Sequence, residues 1–246
     1  MNLYLESKLY SSYADFNREL RLRKARMVIA ILNANIDLAK CNVLDIGTGS
    51  GFLAWEISKI SRSVVSINIS DERIVKDGYK FIIVSDERLP FKDFSFDVVI
   101  SNHTIEHLPN QKLHLNEIHR VLKENGLLYL ATPNKYTITD PHYKIPFLGY
   151  LPYSLKKFII RRFKNKEFDT YPLGYKDIKK LINGKFDLQD FTLRVVKNPY
   201  RYELDVLPIL KPLLLMTPEV ILRIVFFFMP SIIVLLKKKR CDDRKI

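Results

Sequence analysis

The chain has 246 residues, a formal net charge of +13 and a hydrophobic content of 47%. That length suits one large domain, or an ordinary domain with an elaboration, and the composition excludes a disordered or fibrous protein. The two cysteines, Cys41 and Cys241, lie far apart in the sequence. Two such distant cysteines exclude a disulfide scaffold and a CxxC zinc site, and we predict no metal site. So few cysteines suit a protein of a reducing compartment. The start at Met1 lacks a basic stretch followed by an apolar run, so we expect no secretory signal and a cytoplasmic location.

The positive charge is unevenly placed. Residues 43–135 contain 11 basic and 12 acidic residues, so this centre has a net charge of −1 and the remaining segments hold +14. The excess lies in three clusters, at residues 18–26, 156–166 and 237–245. The chain therefore has a neutral centre with basic flanks.

Residues 1 to about 40 have the spacing of a helix, after which short apolar runs alternate with helical patterns. We predict strands at residues 42–46, 64–67, 81–84, 96–100 and 126–130. A helix is predicted over residues 112–124, ended by Asn125-Gly126. Short buried strands that alternate with helices predict an α/β fold, a Rossmann-like doubly wound sheet with helices on both faces.

This alternation breaks after residue 134. Residues 135–175 are rich in aromatic, proline and basic residues and are predicted to form a lid. A helix over 175–183 and a strand over 186–196 follow, and then a very apolar tail from Val206. We divide the chain into a helical segment (1–40), a core (41–134), the lid (135–175) and a C-terminal completion of the sheet (176–246).

The most specific pattern is the glycine-rich segment 43–51, Val-Leu-Asp-Ile-Gly-Thr-Gly-Ser-Gly, between a predicted strand and a predicted helix. Glycines allow positive φ and close approach of a ligand, and a helix N-terminus offers free N–H groups. A dinucleotide site would need a third glycine at Phe52 and an acid near Asn68, and the chain has neither. The dinucleotide interpretation is therefore the weaker one.

The segment Asp45–Gly51 resembles the first motif of class I S-adenosylmethionine (SAM) dependent methyltransferases. Three further stretches resemble later motifs of that family in the same order, at residues 85–91, 95–108 and 120–134. The closest resemblance is to the ubiquinone-biosynthesis-type and related small-molecule subgroup. It implies a mostly parallel sheet with an antiparallel last strand, and SAM as the cofactor.

The resemblance also implies roles for particular residues. Gly47, Gly49 and Gly51, with Thr48 between them, would face the methionine part of SAM, and Asp45 would hold the loop and accept a hydrogen bond from the cofactor amino group. Asp86 and Glu87 would lie at the adenine, and Asn102 and His103 near the transferring methyl. Asn68 stands where the family has an acid for the ribose hydroxyls, with Asp71 as a substitute acid. A degenerate fold that serves as a binding module is therefore an alternative.

Among the histidines, His142 lies in the lid, where related enzymes contact their substrates, and a base near neutral pKa would serve a hydroxyl acceptor. We name His142 and His103 as catalytic candidates. His107 is interpreted as structural, and His114 and His119 as surface residues.

The basic segment 156–166 could face RNA or a membrane, and its aliphatic interleaving favours lipid. For residues 220–236 we predict a helix followed by a buried last strand, with an interfacial anchor or a membrane span as alternatives and the basic end 237–240 at the surface. The sequence therefore predicts O-methylation of a small-molecule or lipid-linked acceptor by a cytoplasmic enzyme that is peripheral to an anionic membrane. An RNA methyltransferase is the alternative.

Overall fold

The computed structural model describes residues 3–85, 88–165, 168–204 and 206–239, with side chains from residue 18 onward except 223–225. Asp86, Glu87 and Cys241 lie outside the described residues. Seven strands form one sheet: β1 Asn42–Ile46, β2 Ser63–Asn68, β3 Lys80–Ile83, β4 Phe96–Asn102, β5 Leu122–Pro133, β6 Phe186–Asp190 and β7 Ser231–Lys238. The strand order is β3-β2-β1-β4-β5-β7-β6, and β7 runs antiparallel to both of its neighbours. This confirms the predicted fold class.

Eight helices accompany these strands in the described parts of the chain. They are α1 Leu3–Asn33, α2 Phe52–Ser58, α3 Gln111–Val121, α4 Tyr153–Lys164, α5 Tyr175–Ile182, α6 Thr192–Lys197, α7 Leu210–Met216 and α8 Glu219–Phe226. The long predicted N-terminal helix is α1, which ends at Asn33, and a short 3-10 turn at Leu38–Lys40 precedes β1.

The sheet is buried on both faces because neighbouring residues of its central strands contribute to different apolar layers. Leu44 and Val99 belong to the layer that α3 and α5 cover. Val43 and Val98 belong to the layer that α1, α2 and α6 cover. Strands buried on both sides need continuous apolar runs, which explains why these segments were recognisable in the sequence.

Helix α3 ends earlier than predicted. Its last residue is Val121, and Leu122 already has an extended backbone and pairs with Phe96 of β4. Asn125 does adopt the left-handed conformation (φ 61°), but within an irregular start of β5. The Asn-Gly signal was therefore a strand irregularity and not a helix stop.

The predicted strand over residues 186–196 is also too long. Strand β6 ends at Asp190, whose Oδ1 accepts a hydrogen bond of 2.7 Å from the backbone N–H of Thr192. That bond turns the chain into α6.

The apolar run 220–236 divides as predicted into α8 and the buried strand β7. Across the described ranges, we find no helix that combines the length and apolarity needed to cross a bilayer. The basic end differs from the prediction at Lys238, which is 3% exposed. Its Nζ donates to the Leu122 carbonyl at 2.7 Å and lies 4.1 Å from the centre of the Phe94 ring.

The lid has a small apolar core of its own, formed by Tyr143, Leu148, Ile160 and Phe168. The basic cluster in it is smaller at the surface than the sequence indicated. Lys156 is buried and its Nζ donates to the Gly149 carbonyl at 3.1 Å, and burial lowers its pKa. Lys166 lies outside the described residues. The exposed cations of α4 are Lys157, Arg161, Arg162 and Lys164.

Candidate functional site

A cavity of about 490 Å³ lies at the carboxyl ends of β1 and β4. Its floor is the glycine loop, with Asp45 and residues 47–50, and Asn102 and His103 follow β4 on one side. Ligands of open α/β sheets bind at this edge of the strands. The cavity thus brings together most of the cofactor residues that the sequence predicted.

Two positions of the loop, Gly47 and Gly49, show why the loop contains glycine. Gly47 has a positive φ of 82°, and a Cβ there would clash with Thr104 Oγ1, so no larger residue fits unless Thr104 moves. Gly49 has a positive φ of 51° and open space where its Cβ would project. The loop therefore leaves a cradle at Gly49 against which a ligand can lie, and this geometry fits the methionine part of SAM.

Asp45 is the buried charge of the site, with only 2% of its surface exposed. Its Oδ2 accepts a hydrogen bond of 2.8 Å from Ser66 Oγ, and Ser66 in turn contacts Thr48 Oγ1. Burial raises the pKa of Asp45 to about 6, although the bond from Ser66 opposes that rise. A carboxylate in such surroundings gains from a cation, and the amino group of SAM is one.

Helix α1 forms the opposite wall of the cavity through Leu20, Arg21, Lys24 and Val28. Arg21 also donates to Ser50 Oγ at 2.8 Å, which ties the helix to the glycine loop. The sequence indicates that these cations belong to a basic helix, but it does not show that they face the glycine loop. Their spacing of three residues on one helix face was the available signal.

The residues predicted to bind the ribose of SAM offer fewer free acceptor groups than the family's acid would. Asn68 ends β2, and its carbonyl accepts from the N–H of Val84 at 2.9 Å. The substitute acid Asp71 is held by Arg73 through two hydrogen bonds of 2.8 and 2.9 Å, and Lys76 Nζ lies 3.1 Å from it. These contacts hold the pKa of Asp71 below its usual range. Its carboxylate oxygens are thus already engaged.

A second cavity, of about 440 Å³, adjoins the first and shares Lys24, Val28, Asn102 and His103 with it. Its remaining wall is mostly aliphatic and comes from α1, β5, α6, α7 and β7. The apolar lining side chains are Met27, Ala131, Val195, Val196, Leu204, Val206, Leu214, Met229 and Ile233. We call it the apolar cavity. The sequence did not reveal it, because it joins segments that lie far apart in the chain.

His103 stands where the two cavities meet. It has a left-handed backbone (φ 55°), and its N–H donates to the Ala131 carbonyl at 2.8 Å. A non-glycine residue in this conformation is held there by its surroundings, and such residues concentrate at functional sites. Its Nδ1 lies 3.5 Å from Glu106 Oε1.

His142 does not line either cavity. It packs edge-on against His107, with ring centres 5.1 Å apart. Partial burial and the neighbouring His107 lower the pKa of His142, so its ring is neutral at pH 7 and can accept a proton.

Glu106, His107 and His142 form a group that could not be predicted from the sequence, because His142 lies far from the other two in the chain. Each offers a ligand atom, and these atoms lie within 4.8 Å of one another. Glu106 is buried; its Oε2 accepts from Thr132 Oγ1 at 3.1 Å, while Oε1 has no hydrogen-bond partner. One carboxylate and two imidazoles could hold a divalent cation.

The prediction that His114 and His119 are surface residues is wrong. His114 is 3% exposed and shares a hydrogen bond of 3.0 Å with Ser101 Oγ, and burial lowers its pKa to about 4. His119 is partly buried, with its ring against Phe186 at 5.3 Å.

The mostly parallel sheet with its antiparallel strand β7, and the glycine cradle after β1, agree with the resemblance to class I SAM-dependent methyltransferases. Residues 44–130 match a family model described as a methyltransferase domain. The chain aligns with ubiquinone biosynthesis O-methyltransferase of Pelagibacter ubique at 27% identity, over 68% of this chain and 75% of that protein. A protein of Mycobacterium tuberculosis (strain H37Rv), described as a probable SAM-dependent methyltransferase, is 34% identical over 40% of this chain and 38% of its own.

Among solved structures, a SAM-dependent methyltransferase from Mesorhizobium loti shares the fold with a TM-score of 0.57 at 14% identity. The alignment covers 88% of this chain and 99% of that one. These likenesses support a class I SAM-dependent methyltransferase with SAM as its cofactor.

Proposed function

We propose that the enzyme transfers the SAM methyl group to a hydroxyl of an apolar, lipid-linked acceptor beside an anionic membrane. The observation that carries this proposal is the apolar cavity, which meets the cofactor cavity at Asn102 and His103. An aliphatic wall recognises a hydrocarbon portion, and a polar group at the shared end can contact the reacting atom.

Bound SAM supplies an activated methyl on a sulfonium, and the protein supplies position and a base. The acceptor oxygen forms a bond to the methyl carbon while the bond from that carbon to sulfur breaks, and the hydroxyl proton passes to a base. His103 is the base that the geometry favours, because it lines both cavities. Alignment of the acceptor with the methyl accounts for most of the rate enhancement.

Arg21 and Lys24 have a role in cofactor binding in this proposal. They are cations on the wall that faces the glycine loop. We assign them to the carboxylate of SAM, opposite the amino group that donates a hydrogen bond to Asp45.

The lid supports the acceptor's proposed location. Helix α4 exposes Phe158 and Phe163 beside Arg161 and Arg162. An exposed face that mixes aromatic side chains with cations suits the surface of an anionic bilayer.

Transfer of radiolabelled methyl groups tests the proposal. The enzyme is incubated with labelled SAM and, in separate reactions, a cellular lipid extract, a water-soluble extract and total RNA. We expect label in the lipid phase, lost in Asp45→Asn. Label confined to RNA would favour the alternative RNA enzyme, and label confined to water-soluble products would contradict a lipid-linked acceptor.

A matched pair of variants tests the base. We expect His103→Gln to lower the transfer rate by about 100-fold, in the range for loss of a general base, and His142→Gln to have a smaller effect. Binding of S-adenosylhomocysteine should be unchanged in both. A larger loss in His142→Gln would transfer the role to that residue.

A further inference from the structure

Residues 206–228, which we call the α7–α8 segment, lie between β6 and β7 and expose many apolar side chains, although Leu222 is buried. Helix α7 has no buried residue. The large apolar side chains that the segment exposes are Leu207, Ile209, Leu210, Leu213, Leu215, Met216, Val220, Ile221, Phe227 and Phe228. Ile209 is 78% exposed and Met216 is 82% exposed. So many exposed large apolar side chains in one short segment indicate an interaction site.

The distribution of these residues around the helix indicates what the segment binds. Every residue of α7 except Lys211 is apolar: Leu213 and Met216 share one face with Ile209 before the helix, Leu215 lies on another face, and Leu214 lines the apolar cavity. A stripe would suit the face of one protein partner, whereas a helix that is apolar all round suits surroundings that are apolar on every side. The hydrocarbon of a bilayer provides such surroundings.

The borders of the segment have the chemistry of a membrane interface. Lys211 lines a groove of about 730 Å³ between α1 and the start of the segment, together with Glu203 and with Arg23, which pairs with Glu19 at 3.2 Å. At the other end, Phe227 stacks on Tyr136 of the lid at 4.6 Å, and Tyr136 contacts Tyr150 at 5.7 Å. Cations and tyrosines at the edge of an apolar surface are typical of the headgroup level.

The segment also connects this surface with the site. Val206 and Leu214 line the apolar cavity, as do Met229 and Pro230, which immediately follow the segment. The other end of that cavity is His103, where the cofactor cavity begins.

We propose that the α7–α8 segment inserts into the leaflet of an anionic bilayer that faces the enzyme. The apolar cavity behind the segment is then the route by which the acceptor passes from the membrane to His103. This inference rests on the proposed function and assigns the membrane contact to this segment. The lid then supplies an electrostatic contact beside it.

Vesicle sedimentation tests the insertion. Leu213→Glu/Met216→Glu places two carboxylates on α7 without removing a buried residue. Ile69→Glu/Ile74→Glu is the matched control, because it makes the same charge change at two exposed isoleucines of the β2–β3 loop. On vesicles of phosphatidylcholine alone, we expect the α7 variant to bind about tenfold more weakly or worse, and the control to bind as the wild type does.

Equal binding of the two variants to these neutral vesicles would overturn the proposal. It would also be overturned if sedimentation velocity showed a wild-type dimer that the α7 variant loses, with no vesicle binding by either, because the occupant would then be a second copy of the chain.

A transfer assay separates this inference from the proposed function. Labelled methyl transfer is measured with a cellular lipid extract presented as vesicles and as detergent micelles. The α7 variant should lose at least tenfold in rate with vesicles and retain the wild-type rate with micelles. If wild type and variant are equally active on vesicles, the route is wrong while the function stands. If the wild type transfers label to lipid in neither presentation, the proposed function fails.

Discussion

Asp45 gives the most quantitative prediction, because its burial opposes folding while its charge serves the cofactor. The carboxyl is buried and its pKa is raised from 3.8 to about 6. The folded protein therefore binds more protons than the unfolded chain between these two values, and its free energy of unfolding falls as the pH rises through that window. A shift of about 2 units corresponds to about 3 kcal/mol.

The variant Asp45→Asn removes this titration and keeps an oxygen that can accept from Ser66. We expect the free energy of unfolding of the variant, relative to the wild type, to rise by about 3 kcal/mol between pH 4 and pH 7. For a chain of this size that difference is about 6–12 °C in Tm. Other groups, such as His114, titrate in both proteins and cancel in the difference.

Differential scanning calorimetry across this pH range, with and without S-adenosylhomocysteine, measures both effects. The ligand should raise the Tm of the wild type, increasingly as Asp45 ionises above pH 6, and it should not raise that of the variant. Asp97→Asn is the control: its carboxylate accepts from the N–H of Asn42 at 2.8 Å and pairs with Lys123 at 2.9 Å, so its loss should destabilise the protein. Parallel pH profiles for Asp45→Asn and the wild type would refute this reasoning.

Three further predictions concern other parts of the molecule. Arg21→Ala/Lys24→Ala should weaken the binding of S-adenosylhomocysteine by about tenfold in calorimetry. The binding of methylthioadenosine, which lacks the carboxylate, should be unaffected. Equal losses of affinity for both ligands would argue against the assigned contact. His114 has its pKa lowered to about 4, so it takes up its proton more readily in the unfolded chain. Its contribution to the free energy of unfolding of the wild type should therefore fall as the pH drops from 6.5 towards 4. In His114→Leu that component should be absent from urea titrations, and its persistence would show that another group is responsible. Lys238→Met should lower the free energy of unfolding by about 1–3 kcal/mol, because the Leu122 carbonyl loses its buried donor. The control Lys237→Met, at an exposed position, should change it by less than about 0.5 kcal/mol. Similar values for both variants would contradict the buried contact.

The sheet could be predicted from the sequence because its strands are buried on both faces and form apolar runs between turn signals. The glycine loop could be predicted because its conformation excludes other residues, as at Gly47. Both features depend on local sequence, and the order of the motifs along the chain predicted the fold that contains them.

Features that depend on packing between distant segments could not be predicted. The apolarity of residues 206–228 does not tell which side chains are buried: Leu222 is buried, whereas α7 has no buried residue and exposes Leu213 and Met216. Lys238 has the charge of a surface residue but ends a buried strand against Leu122. The burial of His114 did have a signal, since it lies four and seven residues before the buried Ile118 and Val121 on one helix face.

The central claim is that SAM lies in the cradle at Gly49, and a titration of S-adenosylhomocysteine into the wild type and Gly49→Asn tests it most directly. Asparagine tolerates the left-handed backbone at this position, and its side chain would enter the open space. We expect one site per chain in the wild type and no measurable binding in the variant, with both proteins equally folded by circular dichroism. Binding of equal affinity in the two proteins would place the cofactor elsewhere and contradict the account.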